Sequence, residues 1–169
     1  MRTLVVYCHP DPDSFTASVR NTVVAALATA RHEVRLTDLY TEGFEPRLSA
    51  EERLAHSTVE IADSLSSRGL TRYTEDLRWC ESIVLVYPTW WSGQPAMLKG
   101  WIDRVWIQGV AWELPEGANR LVPLLKNVRR MTVVTTHGSS KWINALEGEA
   151  GKRIAFRSKI GRASCRERV

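Results

Sequence analysis

The stretch that decides the fold is residues 87–106, YPTWWSGQPAMLKGWIDRVW. It follows the apolar run 83–86, which is typical of a strand buried on both faces of a parallel sheet. Next come two adjacent tryptophans, a Ser-Gly pair that predicts a turn, a proline suited to the first turn of a helix, and an amphipathic helical pattern. Open α/β sheets bind ligands where a strand ends and continues into a helix. The stretch therefore predicts an α/β fold with a ligand site beside the tryptophans.

The rest of the chain alternates between strand and helix patterns. We predict strands over residues 3–8, 32–36, 83–87 and 130–135, and helices over residues 15–30, 48–66, 71–81, 95–106 and from 141. Ser49 and Glu52 form a capping-box pattern at the start of the second helix. Residues 109–127 are expected to be a long loop with an exposed Trp112. This alternation indicates a doubly wound parallel sheet in the order 2-1-3-4-(5), with the fifth strand missing.

The C-terminal residues 160–169, IGRASCRERV, differ from the rest of the chain. They match one reading frame of a widely used sequencing adapter, so we expect a non-native tail after an incomplete domain of residues 1–159. The alternative is a basic tail that belongs to the protein. The chain has a net charge of +4. Removing the tail's three arginines and one glutamate leaves 20 basic and 18 acidic side chains, which argues against a nucleic-acid partner.

Compartment and metal chemistry follow from composition. No apolar run approaches the roughly 18 residues of a membrane-spanning helix, and the start leads directly into a strand, so we expect a cytoplasmic protein. The cysteines Cys8, Cys80 and Cys165 have neither CxxC nor metal-ligand spacing, and no metal site is predicted. Cys8 and Cys80 are expected to be reduced and buried. Pairing of Cys8 with His9 is disfavoured because adjacent strand residues point to opposite faces.

Three loops should meet at the carboxyl rim of the sheet, after the first, third and fourth strands. Residues 9–16 offer hydroxyls and the amides of a helix N-terminus, which suit a phosphate. The alternative is that Ser14 only caps the helix. Neither GxGxxG nor GxxxxGKS is present, which disfavours a dinucleotide fold or a P-loop.

The other two loops suit a flat ligand. Trp90 and Trp91 would stack on a conjugated ring, although packing in the core or a dimer face is the alternative. Trp101 and Trp106 have core spacing. Residues 135–140, TTHGSS, offer hydroxyls, amides and an imidazole around a glycine. The histidine there is either a hydrogen-bonding and proton-carrying group or a solvated surface residue.

Four motifs along the chain carry a resemblance to a known family: YCHPDPDSFTAS, DLYTEGFEPRLSAEE, YPTWWSGQPAMLKGWIDRVW and TTHGSS. They resemble those of the NAD(P)H:quinone oxidoreductase family of flavodoxin-like flavoproteins. That family includes modulator of drug activity B proteins and ancillary subunits of potassium efflux systems. The resemblance implies a flavodoxin-like sheet, bound FAD or FMN, NAD(P)H as electron donor, a quinone or similar small acceptor, and a homodimer.

The resemblance also implies roles for particular residues. The residues that would hold the phosphate end of the flavin are His9, Ser14, Phe15, Thr16 and Ser18. Those that would surround its ring are Pro88, Thr89, Trp90, Trp91, Thr135, Thr136, His137 and Gly138. Trp91 and Gly138 would face the nicotinamide or quinone, with Trp112 reaching across a dimer. The catalytic roles fall to Trp91 and to His137, the local proton carrier, because the family's Tyr-His pair has no match here.

The implied activity is two-electron, ping-pong hydride transfer from NAD(P)H through flavin to a quinone. An azo- or nitroreductase would use the same chemistry. A flavin-binding regulatory subunit of a potassium efflux transporter is the alternative from another class, although no amphipathic docking helix indicates it. An electron carrier like flavodoxin is disfavoured, because such carriers are acidic and lack the long loop after the third helix.

Overall fold

The computed structural model describes residues 1–55, 69–138, 140 and 142–143. Its strands are β1 (Arg2–Tyr7), β2 (Glu33–Asp38), β3 (Ser82–Pro88), β4 (Trp112–Glu113), β5 (Val122–Pro123) and β6 (Arg130–Thr136). Its helices are α1 (Phe15–Thr29), α2 (Ala50–Ala55), α3 (Thr71–Trp79) and α4 (Ala96–Val105).

Four strands form one parallel sheet in the order β2-β1-β3-β6. This confirms the predicted α/β class and the order 2-1-3-4, with β6 as the fourth strand of the sheet. The expectations of an incomplete domain and a non-native tail concern residues 144–169, which lie outside the described residues.

The two central strands are buried on both faces, as their apolar runs predict. All seven residues of β3 and five of the six in β1 are buried. On one face, Val5 and Val84 pack with α1. On the other face, Leu4 and Leu85 pack with residues of α3 and α4. Helices therefore cover the two central strands on both faces.

Local capping fixes where the helices begin. The Ser14 hydroxyl accepts a hydrogen bond from the Ala17 amide at 3.1 Å, so the predicted cap of α1 is confirmed. The capping box is confirmed too: the Ser49 amide donates to Glu52 Oε2 at 2.9 Å, and the Glu52 amide donates to Ser49 Oγ at 3.1 Å. The remainder of the predicted helix 48–66 lies outside the described residues from residue 56 onward.

Two predictions need correction. Pro95 is the cap residue of α4 and not its first helical residue. The predicted loop 109–127 contains the antiparallel pair β4–β5, because strands of two residues are too short to show a period of two. Trp112 begins this pair and is half-buried, with its indole Nε1 donating to the carbonyl of Trp106 at 2.9 Å. It is therefore not the exposed side chain that we predicted.

Among the residues that the structure describes, no helix is long and apolar enough to cross a bilayer.

Candidate functional site

Side-chain contacts join the three predicted loops at the carboxyl rim of the sheet. The rings of His9 and Trp90 lie with their centroids 5.9 Å apart, which connects the loop after β1 to the loop after β3. The hydroxyls of Thr89 and Thr135 are 2.8 Å apart and connect the β3 loop to the end of β6. The next residue of β6, Thr136, lies 2.8 Å from the Thr16 hydroxyl in α1. The predicted convergence of these loops is therefore present.

The first loop is held by local polar contacts. The Asp11 amide donates to His9 Nδ1 at 3.0 Å, and the Asp13 amide donates to Asp11 Oδ1 at 2.9 Å. Phe15 and Thr16 begin α1, where amides have no acceptor within the helix. Phe15 is 75% exposed, whereas Thr16 is 3% exposed. The helix dipole and these amides favour an anion at this end of α1.

The tryptophan loop is a tight turn. Trp90 and Gly93 exchange two backbone hydrogen bonds, at 3.1 and 3.0 Å, and the residues between them, Trp91 and Ser92, have φ values of 50° and 59°. Positive φ at both central residues is the signature of a type I′ turn. Left-handed conformations strain side chains larger than glycine, and such strain concentrates at functional sites.

This turn presents its tryptophans to solvent. Trp91 is fully exposed and Trp90 is 40% exposed. The alternative in which these two side chains pack in the core is therefore wrong for this structure. The indole of Trp91 offers both faces to a flat ligand at the rim.

The third loop follows β6 with exposed polar groups. The Thr89 amide donates to the Thr136 carbonyl at 2.7 Å, which extends the ladder between β3 and β6 to the start of this loop. His137 and Gly138 are exposed. No described atom lies within 4 Å of the position that a Cβ would occupy at Gly138. The backbone there is open to a ligand, although packing against the described residues does not require a glycine at this position.

The helix tryptophans have structural roles. Trp101 is completely buried, Trp106 is half-buried, and their rings meet edge to face at 6.0 Å. The expectation that these two residues belong to the core is confirmed.

The buried thiols and phenols near the strands are not poised for chemistry at neutral pH. Burial raises the pKa of Cys8 and of Cys80 to about 12, so both thiols stay protonated. Burial also raises the pKa of Tyr7 and of Tyr87. These shifts agree with the expectation of buried, reduced cysteines. Within the part of the chain described, no three His, Cys, Asp or Glu side chains are grouped to hold a metal ion.

Sequence reasoning missed Ser92 as a residue that shapes the site. Its left-handed backbone completes the turn that exposes Trp91. The usual sequence signal for such a turn is Asn-Gly or Asp-Gly, and Trp-Ser carries no comparable signal. The Ser-Gly pair at residues 92–93 indicated a turn at this place, but not the left-handed backbone of Trp91 and Ser92.

Comparison with known proteins places the chain among relatives with the same architecture. The family model described as the flavodoxin-like fold matches residues 1–157. Ribosyldihydronicotinamide dehydrogenase (quinone) of Pongo abelii is 30% identical over 152 residues, which are 83% of this chain and 65% of the relative. An uncharacterized NAD(P)H oxidoreductase of Escherichia coli K12, YcaK, is 34% identical over 128 residues, covering 73% of this chain and 64% of the relative.

The chain therefore spans less than two thirds of the length of these curated relatives. Among solved structures, Smu.1420 from Streptococcus mutans UA159 has 28% identity and a TM-score of 0.77. The alignment covers 99% of this chain and 87% of that protein. The sheet order, the rim of loops and the match over residues 1–157 agree: the chain belongs to the flavodoxin-like fold family.

Proposed function

We propose that the chain is a flavin-dependent NAD(P)H:quinone oxidoreductase. The observation that carries this proposal is the joined rim, where the start of α1, the exposed Trp91 turn and the β6 loop lie side by side. This rim offers anion-binding amides at one side and aromatic surface at the other. The names of the relatives from Pongo abelii and Escherichia coli support the same chemistry.

The donor set of the rim fits a flavin. The phosphate end would meet His9 and the α1 start, with Ser14, Phe15, Thr16 and Ser18 around it. The ring would lie against Pro88, Thr89, Trp90 and Trp91, with residues 135–138 at its other edge. FAD and FMN share the phosphate and the ring that these groups match, so the proposal covers both.

Bound flavin supplies two-electron hydride chemistry between NAD(P)H and a quinone in a ping-pong sequence. The chain's own part is to bind and orient the reactants. Trp91, which is fully exposed, would stack on the nicotinamide or the quinone, and the open backbone at Gly138 would border the same ligand. Backbone amides of the loop after β6 would donate to the edge of the bound ring. His137, exposed in the same loop, would carry the proton that the quinone oxygen receives.

Assembly and subtype are further parts of this proposal. We place the chain with the modulator of drug activity B and potassium-efflux ancillary proteins, because the YPTWWSGQPAMLKGWIDRVW motif carries that resemblance. The proposed state is a homodimer in which the half-buried Trp112 of one subunit borders the site of the other. The reaction is proposed to be cytoplasmic, where NAD(P)H is available.

Two measurements on the purified protein test the proposal. The first is the absorbance spectrum in the flavin region after addition of FMN or FAD and gel filtration. The second is NAD(P)H oxidation with menadione, with an azo dye as a parallel acceptor. Retained flavin with menadione turnover is the expected result. Retained flavin without turnover would favour the regulatory-subunit alternative, and a protein that retains neither flavin would overturn the proposal.

A further inference from the structure

Two threonine hydroxyl pairs tie the end of β6 to the elements on both sides of it. Thr135 Oγ1 lies 2.8 Å from Thr89 Oγ1, and Thr136 Oγ1 lies 2.8 Å from Thr16 Oγ1. Because successive strand residues point to opposite faces of a sheet, the two pairs extend in different directions. One reaches the loop after β3, and the other reaches the first turn of α1.

Backbone pairing with β3 also holds the end of β6. In the described sheet, β6 pairs with β3 on one side only. The β3–β6 ladder reaches Pro88 and Thr136, and the Thr89 amide donates to the Thr136 carbonyl just beyond it. The loop that follows is therefore held to β3 by backbone bonds, and to α1 by the Thr16–Thr136 hydroxyl pair.

Burial separates the role of the Thr16 side chain from that of its backbone. Thr16 is 3% exposed, and its hydroxyl contacts Thr136 instead of solvent. The Thr16 amide belongs to the first turn of α1, where donors are free for an anion. The side chain thus has little surface left for a ligand, whereas the backbone of the same residue remains suited to one.

We propose that Thr16 and Thr136 are positioning residues: their hydroxyl pair sets the distance between the anion-binding start of α1 and the ring-binding loop after β6. The inference rests on the proposed function, because it concerns a ligand that spans both places. At positions 16 and 136 the backbone groups contact the ligand, whereas the two side chains contact each other. The Thr89–Thr135 hydroxyl pair likewise sets the distance between the tryptophan turn and the loop after β6.

A double-mutant cycle tests the pair. The variants are Thr16→Val, Thr136→Val and the double variant, with Thr136→Ser to restore a hydroxyl. The dissociation constants for FMN and FAD are measured by fluorescence titration, and the melting temperatures are measured without flavin. Each single valine variant is expected to weaken flavin binding about fivefold. The double variant should be no weaker than either single variant, and Thr136→Ser should bind like the parent.

A matched control comes from the opposite end of the sheet. There the Thr3 hydroxyl contacts His32 Nδ1 at 2.8 Å, and Thr3 is completely buried. Thr3→Val removes one threonine hydrogen bond of similar length from the same sheet. It should lower the melting temperature and leave the flavin dissociation constants unchanged, because the residue lies far from the carboxyl rim.

The outcomes separate this inference from the proposed function. If flavin binds but the effects of Thr16→Val and Thr136→Val multiply in the double variant, each side chain acts independently and the positioning role is refuted. Failure of serine to restore binding would refute it as well. If the parent binds neither flavin, the proposed function fails. The melting temperatures of the cycle would then still show whether the two hydroxyls are coupled in the unliganded protein.

Discussion

Arg104 in α4 donates to both carboxylate oxygens of Glu52 in α2, with Nη2 2.6 Å from Oε1 and Nε 3.2 Å from Oε2. Both side chains are buried, at 7% and 5% exposure. The same guanidinium contacts the carbonyl of Glu45 and lies 5.4 Å from the ring centre of Phe44. This cluster attaches α2 and the segment before it to the helix that follows the tryptophan turn.

Glu52→Gln should destabilise the protein by about 3 kcal/mol, because it leaves the buried Arg104 without its countercharge. Glutamine retains the capping-box geometry at this position, so the change isolates the loss of charge. The measurement is urea unfolding at pH 7. Lys99→Ala is the matched control, since it breaks the exposed pair Lys99–Asp103 of the same helix and should change stability by less than about 0.5 kcal/mol. Equal effects of the two substitutions would contradict the prediction.

Gly100→Ala should destabilise the protein although alanine favours helices. A Cβ at position 100 would overlap the Pro46 carbonyl and lie 2.5 Å from the Pro46 Cβ. Overpacking should lower the free energy of unfolding by about 1–3 kcal/mol. The higher helix propensity of alanine should offset about 1 kcal/mol of that loss. Thermal unfolding measures it. A melting temperature equal to or above that of the parent would show that the segment around Pro46 moves aside without penalty.

Trp91→Ala should weaken binding while leaving the fold intact. The side chain is fully exposed, so its removal uncovers no core. Loss of a stacking partner should weaken nicotinamide or quinone binding by about 1 kcal/mol, roughly fivefold. Steady-state kinetics with varied menadione and a thermal melt give the two readouts. As a contrast, Trp101→Ala empties a completely buried site and should reduce stability by about 3–5 kcal/mol. Unchanged kinetics for Trp91→Ala would remove this residue from the proposed site.

Stability should fall as the pH rises above 9. Burial raises the pKa of Cys8 and Cys80 from 9.0 to about 12. Because the pKa of each thiol is higher in the folded state than in the unfolded state, both thiols stabilise the folded protein fully below pH 9. This stabilisation is lost as the pH rises towards 12, because the thiols then ionise in the unfolded chain first. Each thiol should contribute a slope of up to about 1.4 kcal/mol per pH unit between pH 9 and 12.

The check is urea unfolding at pH 8 and at pH 10.5 for the parent and for Cys80→Ala. The alanine variant should be less stable at pH 8 because it creates a cavity, but its stability should depend less on pH. The same pH dependence in both proteins would mean that Cys80 ionises equally in the folded and unfolded states, so that burial does not raise its pKa.

The fold was predictable where the signals are local and periodic. The apolar runs that became β1 and β3 indicated a sheet covered on both faces, and the residue spacing at Ser14 and at Ser49 indicated where helices begin. The core position of Trp101 followed from helical spacing. In each case a few neighbouring residues determine the structure through sterics and hydrogen bonds, so a single sequence carries enough information.

The unpredicted features depend on contacts between distant residues or on strained backbone. The Thr16–Thr136 pair joins residues 120 positions apart, and the Arg104–Glu52 pair joins residues 52 apart. Neither leaves a local pattern. The indole of Trp112 donates to the carbonyl of Trp106 across a turn closed by backbone bonds within residues 107–112, and this turn shows no periodic pattern in the sequence either. The predicted roles of the individual site residues toward a ligand remain predictions.

The tight turn at Trp91 and Ser92 also bears on how this protein could be redesigned. Since two backbone hydrogen bonds between Trp90 and Gly93 and the left-handed conformations set its shape, the side chain at position 91 contributes surface but no internal packing. A library at that single position that omits proline and the β-branched residues, which a left-handed backbone disfavours, would therefore vary the exposed surface of the proposed site without disturbing the core. The neighbouring hydroxyl pairs and the buried arginine–glutamate cluster would stay constant across such a library.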